Sequence, residues 1–106
     1  MIYLDNNATT PLCPEALEAA TAALRDCFGN PSSAHAAGRK AKKLLAESRE
    51  KTASILGAKA DEIVFTGSGS EADHLAILGT WKTAAKWNSK KKRVVVTGIE
   101  HPAVRK

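Results

Sequence analysis

Two short apolar runs on either side of a helical segment constrain the fold of this chain most strongly. Residues 63–66 (IVFT) and 94–97 (VVVT) have the length and β-branched composition of buried strands. Between them, apolar residues recur at helical spacing over residues 70–87, with lysines on the other face. The order strand, helix, strand predicts one right-handed βαβ unit and therefore an α/β fold. Because two apolar strands do not make a stable sheet alone, this unit needs further strands beside it.

An arm and a first helix are expected at the beginning of the chain. Residues 2–4 (IYL) read as a short extended segment, and the turn-forming side chains of residues 5–11 follow it. Pro14 suits the first position of a helix, and alanine and leucine carry that helix towards Phe28. The Gly-Asn-Pro sequence at 29–31 then ends it.

A second helix is expected between this loop and the βαβ unit. Ser32 or Ser33 is suited to cap its beginning, and Gly57 is suited to end it. The residues expected on its buried face follow one helical stripe: Ala37, Ala41, Leu44, Leu45, Ser48, Thr52, Ile55 and Leu56. The predicted division is therefore residues 1–33 for arm, first helix and loop, 34–61 for the second helix and its connection, and 62–106 for the βαβ unit.

Composition is that of a globular chain with regional basic charge. Of 106 residues, 43% are hydrophobic and 25% charged, which does not indicate disorder. The net charge of +5 comes mainly from basic clusters at 39–43 and 90–93. No aromatic residues interleave with these charges, so solvated surfaces are the simpler interpretation and no nucleic-acid partner is expected.

Cysteine and histidine spacing argues against disulfide and metal chemistry. Cys13 and Cys27 do not form a CxxC pair and no secretion signal precedes them, so a reducing, cytoplasmic location is expected. His35, His74 and His101 lack zinc-binding spacing, and no metal is expected. No apolar stretch approaches the roughly 18 residues of a membrane span, so a soluble protein is expected.

The turn between the first predicted strand and the helix has two interpretations. In residues 66–71 (TGSGSE), Ser68 and Glu71 have the spacing of a capping box, which is the simpler explanation. The same free N–H groups, helix dipole and hydroxyl also suit an anion, most naturally a phosphate. His101 follows the second predicted strand, so it is expected at the same edge of the sheet, where open α/β sheets bind ligands.

Four segments, in order and at natural spacing, resemble the N-terminal quarter of the NifS/IscS-like cysteine desulfurases. These belong to the class V aminotransferase group of pyridoxal-phosphate enzymes. The segments are YLDNNATTP (3–11), FGNPSSAH with Gly38 behind it (28–38), EIVFTGSGSEADHLAI (62–77) and EHPAV (100–104). The resemblance implies the N-terminal part of the PLP-dependent transferase fold of aspartate aminotransferase type I, with residues 62–106 beginning its large domain.

The resemblance also implies site residues and partners. Gly69 and Ser70 match the pair that binds the phosphate of pyridoxal 5'-phosphate, which favours the anion interpretation of the turn. His101 matches the histidine that stacks on the cofactor ring and takes part in proton transfer. Residues 7–9 (Asn7, Ala8 and Thr9) match an arm near the active site and the dimer partner. The implied enzyme converts L-cysteine to L-alanine, leaves an enzyme-bound persulfide for iron–sulfur or other sulfur delivery, and acts as a homodimer with a sulfur-acceptor protein.

The sequence also departs from the family pattern. His74 follows Asp73 where the family usually has asparagine. The family's cofactor-binding lysine, pyridinium-pairing aspartate and catalytic cysteine match no residue of this chain, so no desulfurase activity is expected from it alone. Two alternatives stay open: a stand-alone basic binding or dimerisation module without catalysis, and part of another class V enzyme such as a selenocysteine lyase or an aminotransferase.

Overall fold

The computed structural model describes residues 2–87, 90 and 93–105. The predicted loop at 88–89 and the middle of the basic run at 91–92 lie outside the described residues. Regular structure in the described part is helical: α1 (Pro14–Asp26), α2 (Ala36–Leu56), a 3₁₀ turn (Ala60–Glu62), α3 (Gly69–Trp87) and α4 (Pro102–Arg105). The chain divides into two compact units, Met1–Ile63 and Val64–Lys106.

The predicted strands are not formed in the part of the chain that the structure describes. Residues 63–66 and 94–97 lie outside regular secondary structure, so the βαβ unit is not confirmed. A buried strand is held by a ladder of hydrogen bonds to a neighbour and by burial of its side chains. Here Val64 is 65% exposed and Val95 is 93% exposed. These two valines therefore lack the burial that would stabilise a buried strand.

The first unit is organised by a close backbone contact between the 29–33 loop and the beginning of α2. A Cβ atom on Gly29 would lie 2.4 Å from the Ala37 carbonyl oxygen. A Cβ atom on Gly38 would lie 2.3 Å from the Ser33 carbonyl oxygen. Real Cβ atoms do not come so close to backbone atoms, so both positions require glycine. The loop therefore crosses α2 at backbone contact distance.

The beginning of α2 differs from the prediction. The helix begins at Ala36, and the Nδ1 atom of His35 accepts a hydrogen bond from the Gly38 N–H at 3.3 Å. The predicted cap at Ser32 or Ser33 is wrong, because Asn30 folds both residues into a turn. The Ser32 N–H donates to the Asn30 side-chain oxygen at 2.9 Å, and the Ser33 N–H donates to the Asn30 carbonyl at 3.0 Å.

The end of α2 matches the prediction. Gly57 follows the last helical residue in the left-handed conformation, with φ 65° and ψ 27°. Its N–H and that of Ala58 donate to carbonyl oxygens in the last turn of the helix, a common way to end an α-helix. Beyond it the chain returns to the same helix, because the Arg49 Nε donates to the Ile63 carbonyl at 3.3 Å.

Burial along α2 is confined to small residues. Gly38, Ala41 and Ala53 are buried. The predicted burial of Ile55 and Leu56 is wrong, since these side chains are 85% and 67% exposed. They are the last two residues of the helix, where none of the described residues covers them.

Helix α1 begins at Pro14, as predicted, and ends at Asp26. At its end, Arg25 Nε and Nη2 donate to the two carboxylate oxygens of Asp26 at 2.9 and 3.0 Å. This bidentate pair raises the pKa of Arg25 and lowers the pKa of Asp26. No residue of α1 is buried, and Leu24 is 80% exposed. The pair lies at the surface, where ion pairs contribute little to stability.

In the second unit, helix α3 contacts α4. Its predicted span, from about Ser70 to Trp87, agrees with the observed Gly69–Trp87. No residue of α3 is buried, and Leu75 and Leu78 are 53% and 47% exposed. Among the described residues, no helix is both long enough and apolar enough to cross a membrane.

Replacing Gly38 with alanine is expected to destabilise the first unit. The new Cβ would collide with the Ser33 carbonyl, and moving the loop costs about 1–3 kcal/mol. Urea unfolding followed by far-UV circular dichroism measures this loss. Gly79→Ala in α3 is the matched control, because no heavy atom lies within 4 Å of its Cβ and the helix gains about 1 kcal/mol. Destabilisation by both substitutions alike would contradict the close contact.

Exposed apolar residues near the end of the chain are expected to cause self-association. Val95 and Ile99 are 93% and 95% exposed, and unpaired apolar segments of this kind associate with one another. Val95→Lys should lower the weight-average mass measured by sedimentation equilibrium. Thr83→Lys adds the same charge at an exposed polar position of α3 and serves as the control. If both variants reduced the mass equally, charge rather than the apolar segment would explain association.

Candidate functional site

The turn before α3, residues 66–71, is built by side chains that cap the helix. The Ser68 Oγ accepts a hydrogen bond from the Glu71 N–H at 3.2 Å, and the Ser68 carbonyl accepts one from the Ala72 N–H at 3.1 Å. The Glu71 carboxylate reaches back and accepts from the Gly67 N–H at 2.7 Å. The capping interpretation is therefore confirmed, with one difference: Glu71 binds the residue before the cap.

The capping bonds leave two N–H groups at the helix end. Gly69 and Ser70 are the first and second residues of α3, and within the described part of the chain their N–H groups donate to no acceptor. Both residues are exposed. Apart from its chain neighbours and the backbone of its own helix, no heavy atom of the described residues lies within 4 Å of a Cβ built on Gly69, so this side of the turn is open.

A phosphate fits the donors at this helix end. Two free N–H groups, the Ser70 hydroxyl and the positive end of the helix dipole all favour an anion. The Glu71 carboxylate lies at the same end and carries the opposite preference, because like charges repel. The dipole corresponds to only about half an elementary charge, so we expect this turn to hold a phosphate weakly without further cations.

His101 lies immediately before α4, in the second unit, and caps it. Its Nδ1 accepts a hydrogen bond from the Ala103 N–H at 3.2 Å, and its carbonyl accepts from the Val104 N–H at 2.9 Å. Only an unprotonated ring nitrogen accepts a hydrogen bond, so this contact places the proton of the neutral ring on Nε2. The residue is exposed, which leaves the imidazole accessible to a ligand.

Two further side-chain hydrogen bonds support the loop that carries His101, residues 97–101. The Thr97 hydroxyl donates to the Glu100 carboxylate at 2.8 Å. The Arg105 Nη1 donates to the Gly98 carbonyl at 3.3 Å. The second contact joins the end of α4 to the beginning of the loop, so both ends of the loop are connected to this helix.

The arm residues Asn7, Ala8 and Thr9 are exposed and belong to the first unit. The Asp5 carbonyl accepts hydrogen bonds from the Ala8 N–H at 3.1 Å and from the Thr9 N–H at 3.4 Å. The Tyr3 hydroxyl lies 3.0 Å from the Asp5 carbonyl and 3.1 Å from the Thr9 carbonyl. Tyr3 therefore spans the turn and holds its two ends together.

The sequence did not predict the capping contacts of His35 and His101 or the contact of Arg105 with the loop. His35 and His101 both cap a helix through Nδ1, although serine, threonine, aspartate and asparagine are the usual signals for a cap. Arg105 gave no signal, because its contact with Gly98 depends on the path of the loop. Among the described residues, no group of three histidine, cysteine, aspartate or glutamate side chains is arranged to hold a metal ion.

Residues 2–106 match the family described as Aminotransferase class-V. The cysteine desulfurase of Trichormus azollae is 45% identical over 104 residues, which are 98% of this chain and 25% of that protein. Cysteine desulfurase IscS of Dictyoglomus turgidum is 45% identical over 103 residues, which are 97% of this chain and 25% of that protein.

The selenocysteine lyase of Bos taurus is 47% identical over 76 residues, which are 72% of this chain and 17% of that protein. The chain thus spans about a quarter of the length of the curated cysteine desulfurases named above. The match over nearly all of its residues shows that the chain belongs to the Aminotransferase class-V family, whose members use pyridoxal phosphate and have the PLP-dependent transferase fold.

Proposed function

We propose that this chain is the N-terminal portion of a pyridoxal-phosphate-dependent cysteine desulfurase. The complete enzyme would convert L-cysteine to L-alanine and leave the sulfur as an enzyme-bound persulfide for iron–sulfur clusters or other acceptors. The observation that carries the proposal is the α3 turn, where the N–H groups of Gly69 and Ser70 donate to none of the described residues, in a chain similar to cysteine desulfurases over nearly its whole length.

The residues of this chain would bind and orient the cofactor. The N–H groups of Gly69 and Ser70 and the Ser70 hydroxyl would donate to its phosphate, and the His101 ring would stack on its pyridine ring. When bound, pyridoxal phosphate supplies an electron sink for a carbanion at the substrate Cα. The Nε2–H of His101 is the ring proton that a neighbouring acceptor would meet, because Nδ1 is engaged by Ala103.

The βαβ unit belongs to this proposal. Residues 63–66 and 94–97 would become parallel strands once further strands of the large domain pair with them. Their exposed valines support this idea, since such residues gain stability when both faces of a strand are covered. Residues 62–106 would then be the beginning of the cofactor-binding domain, after the arm, first helix and loop (1–33) and the second helix (34–61).

Partners follow from the proposed activity. L-cysteine would be the substrate, a second copy of the enzyme would complete a homodimer, and an acceptor protein would take the sulfur. Residues 7–9 would lie near the active site and the partner subunit, and their exposed turn is compatible with such a contact. We place the enzyme in the cytoplasm, which the free thiols of Cys13 and Cys27 support.

A selenocysteine lyase is the second candidate. The Bos taurus enzyme of that name is 47% identical over 72% of this chain. Selenocysteine and cysteine differ in one atom of the side chain, and 76 residues of this chain align with that enzyme, so the similarity is compatible with either substrate.

Ser70→Ala and Ser68→Ala are expected to separate phosphate binding from capping. Pyridoxine 5'-phosphate is the suitable probe, because it lacks the aldehyde that would react with surface lysines. Ser70→Ala should weaken its binding about tenfold, the effect of losing one hydrogen bond to a charged group. Ser68→Ala should instead lower the stability of α3 by about 1 kcal/mol.

The amide shifts of Gly69 and Ser70 in an NMR titration measure this binding, and pyridoxine without phosphate is the control ligand. If phosphorylated and unphosphorylated probes moved these amides equally, or if Ser70→Ala bound as well as the parent chain, the α3 turn would not be the phosphate site.

The purified chain is expected to release no alanine from L-cysteine in the presence of pyridoxal phosphate. Neither Cys13 nor Cys27 matches the family's sulfur-accepting cysteine, and no lysine here matches the one that binds the cofactor. Alanine is measured by amino-acid analysis, with heat-denatured chain as the blank for non-enzymatic reaction. Turnover above that blank would contradict this expectation.

The reading frame after residue 106 tests the proposal at the level of the gene. We expect an in-frame continuation that contains a Ser/Thr-x-His-Lys segment. A stop codon directly after Lys106 would instead favour a non-catalytic module.

A further inference from the structure

The ring of His101 is oriented by a contact that is too weak to hold it alone. Its Nδ1 accepts from the Ala103 N–H at 3.2 Å, between residues two apart in an exposed segment. A hydrogen bond of this length at an exposed position competes with water and contributes little by itself. The ring orientation therefore depends on whatever closes this segment.

Arg105 holds the segment around His101 through two hydrogen bonds. The Arg105 N–H donates to the His101 carbonyl at 3.4 Å, which completes the helical turn. The Arg105 Nη1 donates to the Gly98 carbonyl at 3.3 Å, seven residues earlier in the chain. His101 lies between Gly98 and Arg105 in the sequence. The side-chain contact thus holds the loop before His101 against the end of the helix after it.

Two other side-chain contacts do not join a loop to the end of a helix in this way. The Thr97–Glu100 hydrogen bond lies wholly within the loop and does not reach α4. Arg25 is another arginine at a helix end, but it pairs with the adjacent Asp26 and closes no loop. Arginine suits the role at 105, because its long side chain carries five donors in a fixed planar arrangement.

We propose that Arg105 is a positioning residue for His101: its contact with the Gly98 carbonyl keeps the imidazole in the Nε2–H form, with Nδ1 bound to the Ala103 amide. The importance of that form for the reaction rests on the proposed function. In it, the nitrogen available to a bound cofactor or substrate is a hydrogen-bond donor. Loss of Arg105 would free the ring to exchange donor and acceptor positions.

Long-range proton–nitrogen NMR of the histidine-labelled 106-residue chain tests this proposal at a pH where the rings are neutral. The spectrum distinguishes a ring nitrogen with a proton from one without. We expect His101 to show a protonated Nε2 and an unprotonated Nδ1. In Arg105→Ala the ratio of the Nε2–H to the Nδ1–H form should fall about threefold or more, as expected when one weak hydrogen bond is lost. Arg105→Lys, which keeps a charged donor, should restore part of the ratio.

His35 is the internal control in the same spectra. It makes the equivalent Nδ1 contact with the Gly38 N–H, in the first unit, and its signals should not change. Far-UV circular dichroism verifies that the total helix content of each variant equals that of the parent chain. If Arg105→Ala loses helix content, the His101 tautomer ratios of the parent chain and of Arg105→Lys test the proposal instead.

Two results would overturn the proposal: averaged tautomers at His101 in the parent chain, or an unchanged ratio in a folded Arg105→Ala variant. Binding of pyridoxine 5'-phosphate, measured on the same samples, keeps the proposed function separate. A tautomer change without phosphate binding would leave Arg105 as a positioning residue and count against the cofactor site. Binding of pyridoxine 5'-phosphate with an unchanged His101 tautomer ratio would count only against the positioning role of Arg105.

Discussion

The close passage of the 29–33 loop over the beginning of α2 is the constraint on which the first unit depends. Gly29 and Gly38 each lack the one atom that would collide with the opposite backbone. Because of this approach, the loop lies directly against the first turn of α2 without a side chain between the two backbones. Asn30 shapes the same loop, and His35 then begins the helix by accepting the Gly38 N–H. Gly38 thus takes part in all three features: the close backbone contact, the Asn30 turn that lies against it, and the His35 cap of α2.

Local hydrogen bonds, more than a hydrophobic core, define the elements of the described chain. Ala41 and Ala53 are its only buried hydrophobic residues within the described part, and neither contributes much apolar area. The helix ends, by contrast, are fixed by specific groups: His35 and Gly57 on α2, Ser68 on α3 and His101 on α4. Such a chain has well-defined helices and large exposed apolar side chains. The proposal that further strands cover residues 63–66 and 94–97 gives these side chains a partner.

Several helix ends that depend on local signals were predicted, although the cap at Ser32 or Ser33 was wrong, and the strands, which depend on distant partners, are not confirmed. Pro14, Gly57 and Ser68 mark helix ends through contacts within a few residues, and all three were predicted correctly. The strands were not formed, because a strand needs a partner that no local pattern supplies. For the site, residue spacing predicted the cap and an anion-binding alternative, and the resemblance singled out Gly69, Ser70 and His101. The Arg105 contact was missed, since it depends on how residues 98–105 fold back.

The cap and the proposed phosphate site use different backbone donors. The Glu71 carboxylate accepts from the Gly67 N–H, and the Ser68 Oγ accepts from the Glu71 N–H. These two donors lie on either side of the two that remain. Gly69 and Ser70 lie between them at the helix end, with their N–H groups unused by the described residues. A helix end without caps would have to hold its shape through the ligand itself. Here the cap forms the turn in advance, and the cost is a carboxylate near the anion, which a phosphate site can tolerate when other donors and cations complete it.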